Sequence, residues 1–226
     1  AMHHYGHSMR NGAAEIYGQV EDCLKEAELI VYWASDPEVT NGVYGSFEGT
    51  TRRLWAKELG IDMVHIDPYL NETAAFLGGK WIAPKPSTSP ALAQAITYVW
   101  IKEGLYDRDY VEKRTTGFDK WKAYIMGEDQ EGVPRTPEWA EKETGVPARE
   151  IRALAREWGS RKTYLSAGGM GTTLGGACRS ATGAQWARAM ICLMAMQGLG
   201  KPGINFGGLQ FGSPINYNFY LPGYAE

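Results

Sequence analysis

Carboxylate and hydroxyl side chains follow three short apolar runs of this sequence, each about as long as a β-strand. Such side chains can accept hydrogen bonds from ribose hydroxyls or from a guanine edge, and nearby backbone N–H groups can bind phosphate. The set therefore suits a ligand with a nucleotide-like part. Its members are Ser35 and Asp36 after the run 29–33, Asp67 after 63–66, and Ser87, Thr88 and Ser89 after 81–83.

The same residues also have an ordinary structural interpretation. No GxGxxG motif follows the first run and no GxxxxGK[ST] motif occurs, so the fingerprints of NAD and ATP binding are absent. An Asp-Pro pair after a strand is a common turn, and Ser-Thr-Ser before Pro is a common helix start. Glycines such as Gly168, Gly169 and Gly171 often serve tight turns. His65 is expected to be a core or edge histidine rather than a catalyst, and Cys178 and Cys192 are expected to be buried, inert thiols.

The order of elements determines whether these residues meet. An apolar run, a helix over 47–59 and a second apolar run form a parallel βαβ unit, and ligands bind beyond the carboxyl ends of such strands. A third strand leads to a helix that Ser89 can cap, and Thr163–Ala167 is a fourth strand. We therefore predict an α/β, three-layer, Rossmann-like fold: a mostly parallel sheet with helices on both faces, plus a helical insertion over 103–158. The strands 29–33, 63–66 and 163–167 are expected to be inner strands, buried on both sides.

Composition excludes several classes of function. The 226 residues carry 23 Lys and Arg against 26 Asp and Glu, which gives no basic footprint for nucleic acid. Apolar runs are far shorter than the roughly 20 residues that span a bilayer, so we expect a soluble protein. The 3 cysteines are too widely spaced for a CxxC metal site, and a reducing compartment fits best.

Several segments occur in the order found in one known family. The loops LIVYWASDPEVT (29–40), HIDPYLNETA (65–74) and KWIAPKPSTSPAL (80–92) resemble those of the dimethyl sulfoxide reductase family of molybdenum and tungsten enzymes. The segments GLYDRDY (104–110), GVPRTPEWA (132–140), GVPAREI (145–151) and QGLGKPG (197–203) resemble its connecting segments. The resemblance extends from about residue 28 to residue 208.

The resemblance implies a domain that lies over one of two molybdopterin guanine dinucleotides, the bis-MGD cofactor with Mo or W, in a larger catalytic subunit. It implies that the metal ligand and the iron–sulfur cysteines lie outside this chain. Many family members carry Asn at position 36, Arg at 69 and Asp at 89, where this sequence has Asp36, Tyr69 and Ser89. By resemblance, the loop near the phosphates and ribose of the dinucleotide contains Trp33, Ser35, Asp36 and Thr40, and the family's acidic strand end is Asp67. The loop around the guanine contains Ser87, Thr88 and Ser89, and the glycine loop that approaches the pterin contains Gly168, Gly169 and Gly171.

Within this family, the number and placement of the aromatic residues are most similar to those of members that transfer a hydroxyl between phenols. That similarity implies transferase activity with no net redox change, a phenolic substrate, a small iron–sulfur subunit and the cytoplasm of an anaerobe. We expect three parts: residues 1–28 continuing from a preceding segment, the cofactor-binding domain 29–208, and an extended aromatic arm 209–226. Tyr224 in the arm is a candidate general acid, and packing against a neighbouring domain is the alternative for the arm.

Two other classes of function stay open at this point. One is a nucleotide-binding domain of another oxidoreductase or of a thiamine-diphosphate enzyme, and the other is a purely structural domain. The long helical insertion favours the molybdopterin family, because a compact Rossmann unit does not need it.

Overall fold

The structure is a computed structural model that describes residues 19–39, 46–168 and 180–207. These residues form four strands and nine helices, which alternate along the first half of the chain. The strands are β1 (Leu29–Trp33), β2 (Asp62–Ile66), β3 (Lys80–Ile82) and β4 (Thr163–Ala167). The helices are α1 (Gln19–Glu26), α2 (Ser46–Glu58), α3 (Glu72–Leu77), α4 (Ser89–Glu103), α5 (Arg108–Arg114), α6 (Phe118–Met126), α7 (Pro137–Thr144), α8 (Ala148–Gly159) and α9 (Gly183–Gln197).

The four strands form one parallel sheet in the order β3-β2-β1-β4. The residues of β1 and β4 are buried throughout, as predicted. The prediction that β4 is an inner strand is wrong for the described residues, because β4 is the last strand of the sheet there and a short segment around Phe206 pairs with its outer side. The N–H of Leu165 donates to the carbonyl of Asn205 at 2.9 Å, and the N–H of Gly207 donates back to Leu165 at 3.0 Å.

Helices cover both faces of the sheet, so the predicted three-layer architecture is confirmed. Successive side chains of a strand point to opposite faces. Leu29, Val31 and Trp33 belong to one buried cluster, which also contains residues of α4, α7, α8 and α9. Ile30 and Tyr32 belong to the second cluster, with residues of α1 and α2.

The predicted helical insertion is also confirmed, because α4 to α8 lie between β3 and β4. Its core is aromatic: the rings of Trp100 and Trp158 meet edge to face at 5.6 Å. The indole N–H of Trp100 donates to the carbonyl of Ala155 at 2.6 Å. The ring centroids of Trp158 and Trp33 are 6.2 Å apart, and this edge-on contact joins the insertion to the carboxyl end of β1. Within the described ranges, no helix has the length and apolar character needed to cross a membrane.

Candidate functional site

The carboxyl ends of β1 to β4 lie along one edge of the sheet, because all four strands are parallel. The loops that carry the predicted residues therefore start side by side. β1 and β4 end next to each other, and the N–H of Gly168 donates to the carbonyl of Trp33 at 2.9 Å. We call this region the strand-end edge: Ala34–Val39 after β1, Asp67–Asn71 after β2, Pro84–Thr88 after β3 and Gly168 after β4.

Asp67 lies at the centre of the strand-end edge and is 8% exposed. Its Oδ2 accepts a hydrogen bond from Asn71 Nδ2 at 3.2 Å, and its Oδ1 accepts a long contact of 3.5 Å from the N–H of Tyr69. Burial raises the pKa of the Asp67 carboxyl, and these two hydrogen bonds oppose the rise. A carboxylate with so few internal donors keeps acceptor capacity for a ligand.

Asn71 connects two of the loops and was missed by the sequence analysis. This buried side chain accepts from the N–H of Ala74 at 2.9 Å and so caps α3. Its Nδ2 group also donates to the carbonyl of Ser35 at 3.3 Å, in addition to Asp67. Asn71 therefore holds the loops after β1 and β2 in one arrangement. A helix of 6 residues has too little periodicity to reveal its cap in the sequence.

Asp36 is turned toward α3 in this structure. Its Oδ1 accepts hydrogen bonds from the N–H of Thr73 at 3.0 Å and from Thr73 Oγ1 at 2.7 Å. The neighbouring Glu38 accepts from the Nε of Arg53 at 2.6 Å and from Thr50 Oγ1 at 2.8 Å, and the Arg53 side chain is fully buried. Ser35 is also buried, with its hydroxyl 3.1 Å from that of Ser166. The loop after β1 is thus anchored by its own polar side chains.

The loop after β3 has a strained backbone and exposed hydroxyls. Ser87 is exposed and adopts a φ of 65°, which non-glycine residues rarely adopt. Thr88 precedes α4 and donates to the carbonyl of Lys85 at 2.7 Å, without capping the helix. Ser89 accepts a hydrogen bond from the indole N–H of Trp33 at 3.0 Å. The structure therefore joins two predicted residues, Trp33 and Ser89, that lie 56 positions apart.

The N-terminal end of α9 lies against the same loop. Thr182 Oγ1 donates to the carbonyl of Ser87 at 2.8 Å, and Ser180 Oγ lies 3.4 Å from Ser87 Oγ. Neither α4 nor α9 has an acidic residue in its first turn or a side-chain hydrogen bond at its N-cap. The first turns of two helices, without acidic residues or side-chain caps, thus lie near Ser87, where the positive ends of the helix dipoles favour an anion. The sequence analysis selected neither Ser180 nor Thr182, and a Thr-Gly pair before an apolar helix was the only local signal.

Several of the remaining predicted residues lie outside the part of the chain that the structure describes. The predictions for Thr40, Gly169, Gly171, Cys178 and Tyr224 concern positions outside the described residues. Across 19–39, 46–168 and 180–207, no group of three His, Cys, Asp or Glu side chains is placed to hold a metal ion.

His65 is a buried core residue, as expected. Its Nε2 lies 2.8 Å from the carbonyl of Gly78, and its ring stacks on Tyr32 at 4.9 Å. Burial lowers the pKa of His65, so the imidazole is neutral at neutral pH. Cys192 is half-buried rather than buried as expected. Its burial still raises the pKa of the thiol to about 11, which disfavours the reactive thiolate.

Comparison with known proteins identifies a family and its relatives. The family model described as "Molybdopterin oxidoreductase" matches residues 3–226. The chain is 52% identical over 225 residues to the pyrogallol hydroxytransferase large subunit of Pelobacter acidigallici, covering 100% of this chain and 26% of that protein. It is 36% identical over 166 residues to the dimethyl sulfoxide/trimethylamine N-oxide reductase of Cereibacter sphaeroides, covering 70% of this chain and 20% of that protein.

A solved structure has the same fold. The acetylene hydratase from Pelobacter acetylenicus superimposes with a TM-score of 0.61 at 17% sequence identity, covering 83% of this chain and 25% of that one. The chain spans about a quarter of the length of these relatives.

Proposed function

The chain belongs to the molybdopterin oxidoreductase family, and we propose that it binds the guanine dinucleotide end of the cofactor within a larger catalytic subunit. Family membership implies a molybdopterin cofactor with molybdenum or tungsten. The observation that carries the finer proposal is the donor and acceptor pattern of the strand-end edge. This edge contains the buried carboxylate of Asp67 and, near Ser87, the first turns of two helices that have no acidic residue there.

This pattern suits the two chemically different parts of a guanine dinucleotide. Ribose hydroxyls and the N–H groups of guanine are donors, and the buried carboxylate of Asp67 is an acceptor for either. The pyrophosphate is an anion, and the N–H groups that begin α4 and α9 favour it near Ser87. The fit thus rests on complementary charge and hydrogen-bonding capacity within one edge.

The other predicted residues take supporting roles in this proposal. Trp33 fixes the hydroxyl of Ser89, which keeps its own O–H available as a donor. Ser35 and Asp36 hold the loop after β1 through Ser166 and Thr73, so their contribution to binding is mainly to shape that loop. Thr40, Thr88, Gly168, Gly169 and Gly171 stay in the proposed binding set.

We propose hydroxyl transfer between phenols as the reaction of the intact subunit. The support is the 52% identity, over the whole of this chain, to a pyrogallol hydroxytransferase large subunit. The bound cofactor would supply the metal at which the phenol reacts. The name 'large subunit' of that relative supports a second, smaller subunit as partner. We further propose that this partner carries iron–sulfur clusters and that the enzyme works in the cytoplasm of an anaerobe. Tyr224, in the arm 209–226, is proposed as a general acid toward the substrate oxygen.

The cofactor proposal can be tested on the intact subunit by measuring bound metal and the GMP that acid hydrolysis releases from the protein. Asp67→Ala should lower both, because it removes the acceptor. Ser87→Ala and Thr182→Val should each have a smaller effect, since a neutral hydrogen bond contributes only about 0.5–1.5 kcal/mol net. Asp119→Ala, an exposed aspartate in the insertion, is the matched control. Unchanged metal and GMP in a folded Asp67→Ala protein would leave the strand-end edge as a structural feature only.

A further inference from the structure

Two large aromatic side chains that the sequence analysis did not assign to the site flank Asp67. Trp81 donates its indole N–H to the backbone carbonyl of Asp67 at 2.9 Å and is still 42% exposed. Tyr69 is 61% exposed, and its backbone N–H contacts Asp67 Oδ1 at 3.5 Å. Asp67 is thus bonded to the side chain of one exposed aromatic residue and to the backbone of another.

The position of Trp81 is fixed by the sheet. It lies on β3, the outer strand next to β2, in register with His65. The hydrogen bond to Asp67 holds the indole against the end of β2, so its ring orientation is determined while much of its surface stays accessible. A large ring that is both held and exposed is expected to contact something beyond the described residues.

The environment of Tyr69 is polar as well as aromatic. Partial burial raises the pKa of its phenol, and the carboxylates of Asp67, Asp36 and Glu72 raise it further. The phenol is therefore neutral, and it lies near a group of negative charges. A purely apolar protein surface would cover these carboxylates without supplying donors, which is costly.

A nucleobase meets both requirements, since it offers flat faces for the rings and N–H donors for the carboxylate. We propose that Tyr69 and Trp81 form an aromatic subsite for the purine base of the guanine dinucleotide, next to the Asp67 carboxylate. This inference rests on the proposed function and specifies which residues of the same site contact the base. Stacking on aromatic side chains is a general way for proteins to hold a base.

The test uses the intact subunit and follows the loss of bound guanine nucleotide with time during dialysis, measured as GMP after acid hydrolysis. Tyr69→Leu keeps an apolar side chain but removes the ring, and it should speed the loss about tenfold, because about 1.4 kcal/mol corresponds to a factor of ten. Tyr69→Phe and Tyr69→Trp keep a ring and should stay within about twofold of wild type. Phe76→Leu removes an exposed ring outside the strand-end edge, on α3, and is the matched control.

The outcomes separate this inference from the proposed function. If wild-type protein releases no GMP, the dinucleotide proposal itself fails. If wild-type protein holds GMP and Asp67→Ala lowers it, while Tyr69→Leu loses it at the wild-type rate, only the aromatic subsite is wrong. Equal acceleration by Tyr69→Leu and Phe76→Leu would show a general effect of losing an exposed ring, and would also overturn it. Should Tyr69→Leu fail to fold, Tyr69→Gln takes its place, because it removes the ring and should release GMP faster than Tyr69→Phe.

Discussion

The helical insertion and the strand-end edge handle unfavourable backbone conformations in different ways. In the insertion, left-handed positions such as Gly117, Gly127 and Gly145 are glycines, which adopt positive φ without strain. Among the described residues, the two non-glycine positions with positive φ are Ala34 at 48° and Ser87 at 65°, and both are on the strand-end edge. Backbone strain of this kind tends to concentrate at functional sites.

The two regions also differ in how they satisfy polar side chains. In the insertion, Arg135 is 7% exposed, and its guanidinium lies over the rings of Tyr124 at 4.6 Å and Trp139 at 4.9 Å. Arg156 forms two hydrogen bonds with Glu103, at 2.8 and 2.9 Å. At the strand-end edge, by contrast, the Asp67 carboxylate accepts two hydrogen bonds from the described residues, one of them a long contact of 3.5 Å, and the first turns of α4 and α9 have no side-chain cap. The proposed binding would use this remaining hydrogen-bonding capacity, whereas the charged side chains of the insertion are held within the fold.

The largest expected effect is on the insertion, from Gly127→Ala. A Cβ at this position would lie 2.5 Å from the nitrogen of Pro134, in a backbone with φ of 72°. Strain and overlap with rigid backbone should together lower the free energy of unfolding by about 2–5 kcal/mol. Gly117→Ala is the control, because its φ is 83° but no atom lies within 4 Å, so it should cost only about 1 kcal/mol. Thermal unfolding of the intact subunit measures both, and equal losses would contradict this account.

Arg135→Ala should destabilise the insertion next most strongly. It removes cation–π contacts with two rings in a largely desolvated place, each worth up to about 2 kcal/mol. We expect a total loss of about 2 kcal/mol in chemical denaturation, and the GMP bound per folded molecule should be unchanged. Arg114→Ala, on the exposed end of α5, should lie within about 0.5 kcal/mol of wild type. A drop in bound GMP for Arg135→Ala would break the separation between the two regions.

The fold was more predictable from the sequence than the site was. Continuous apolar runs indicate strands such as Leu29–Trp33 directly, because buried parallel strands need no polar face. Asp67 was predictable for a related reason, since the residue after such a run must lie at the edge. Local sequence patterns were therefore sufficient to predict the strands and the residues that directly follow them.

The contacts within the site could not be predicted in this way. Thr182 and Ser87 are 95 positions apart, and no local pattern indicates that their helices begin side by side. Asn71 caps a helix too short to have a visible apolar face. Trp55 in α2 and Leu59 just after it are large apolar side chains, yet they are 45% and 62% exposed. Exposure depends on which elements pack together, and that is a property of the whole fold.

A smaller effect, of opposite sign, is expected from Ala34→Gly on the strand-end edge. Left-handed backbone costs alanine about 1–2 kcal/mol, and glycine loses about 0.5–1 kcal/mol through its freer unfolded state. The net result is a gain in stability of up to about 1 kcal/mol, measured by thermal unfolding of the cofactor-free subunit. Ala83→Gly, at an exposed position that is not among the positive-φ residues, should lose stability instead. A loss at both positions would show that Ala34 is not strained.

The smallest effect is expected from Asp67→Asn, and it should depend on pH. Burial raises the pKa of Asp67 above its ordinary value of 3.8, so the fold favours the neutral carboxyl. The stability that this preference contributes is fully present below pH 3.8 and is lost as pH rises through the raised pKa of the folded protein. Asparagine has no charge to bury, so cofactor-free Asp67→Asn should match the wild type in acid and become slightly more stable than it toward neutral pH. Asp119→Asn, which changes an exposed aspartate of the insertion, is the control variant. The same Asp67→Asn protein should hold less GMP than the wild type, because the amide is a weaker acceptor for ribose or guanine donors. If the strand-end edge exchanges stability for binding, this one variant should be more stable than the wild type and should bind less GMP. A variant that lost both stability and bound GMP would show that Asp67 serves the fold.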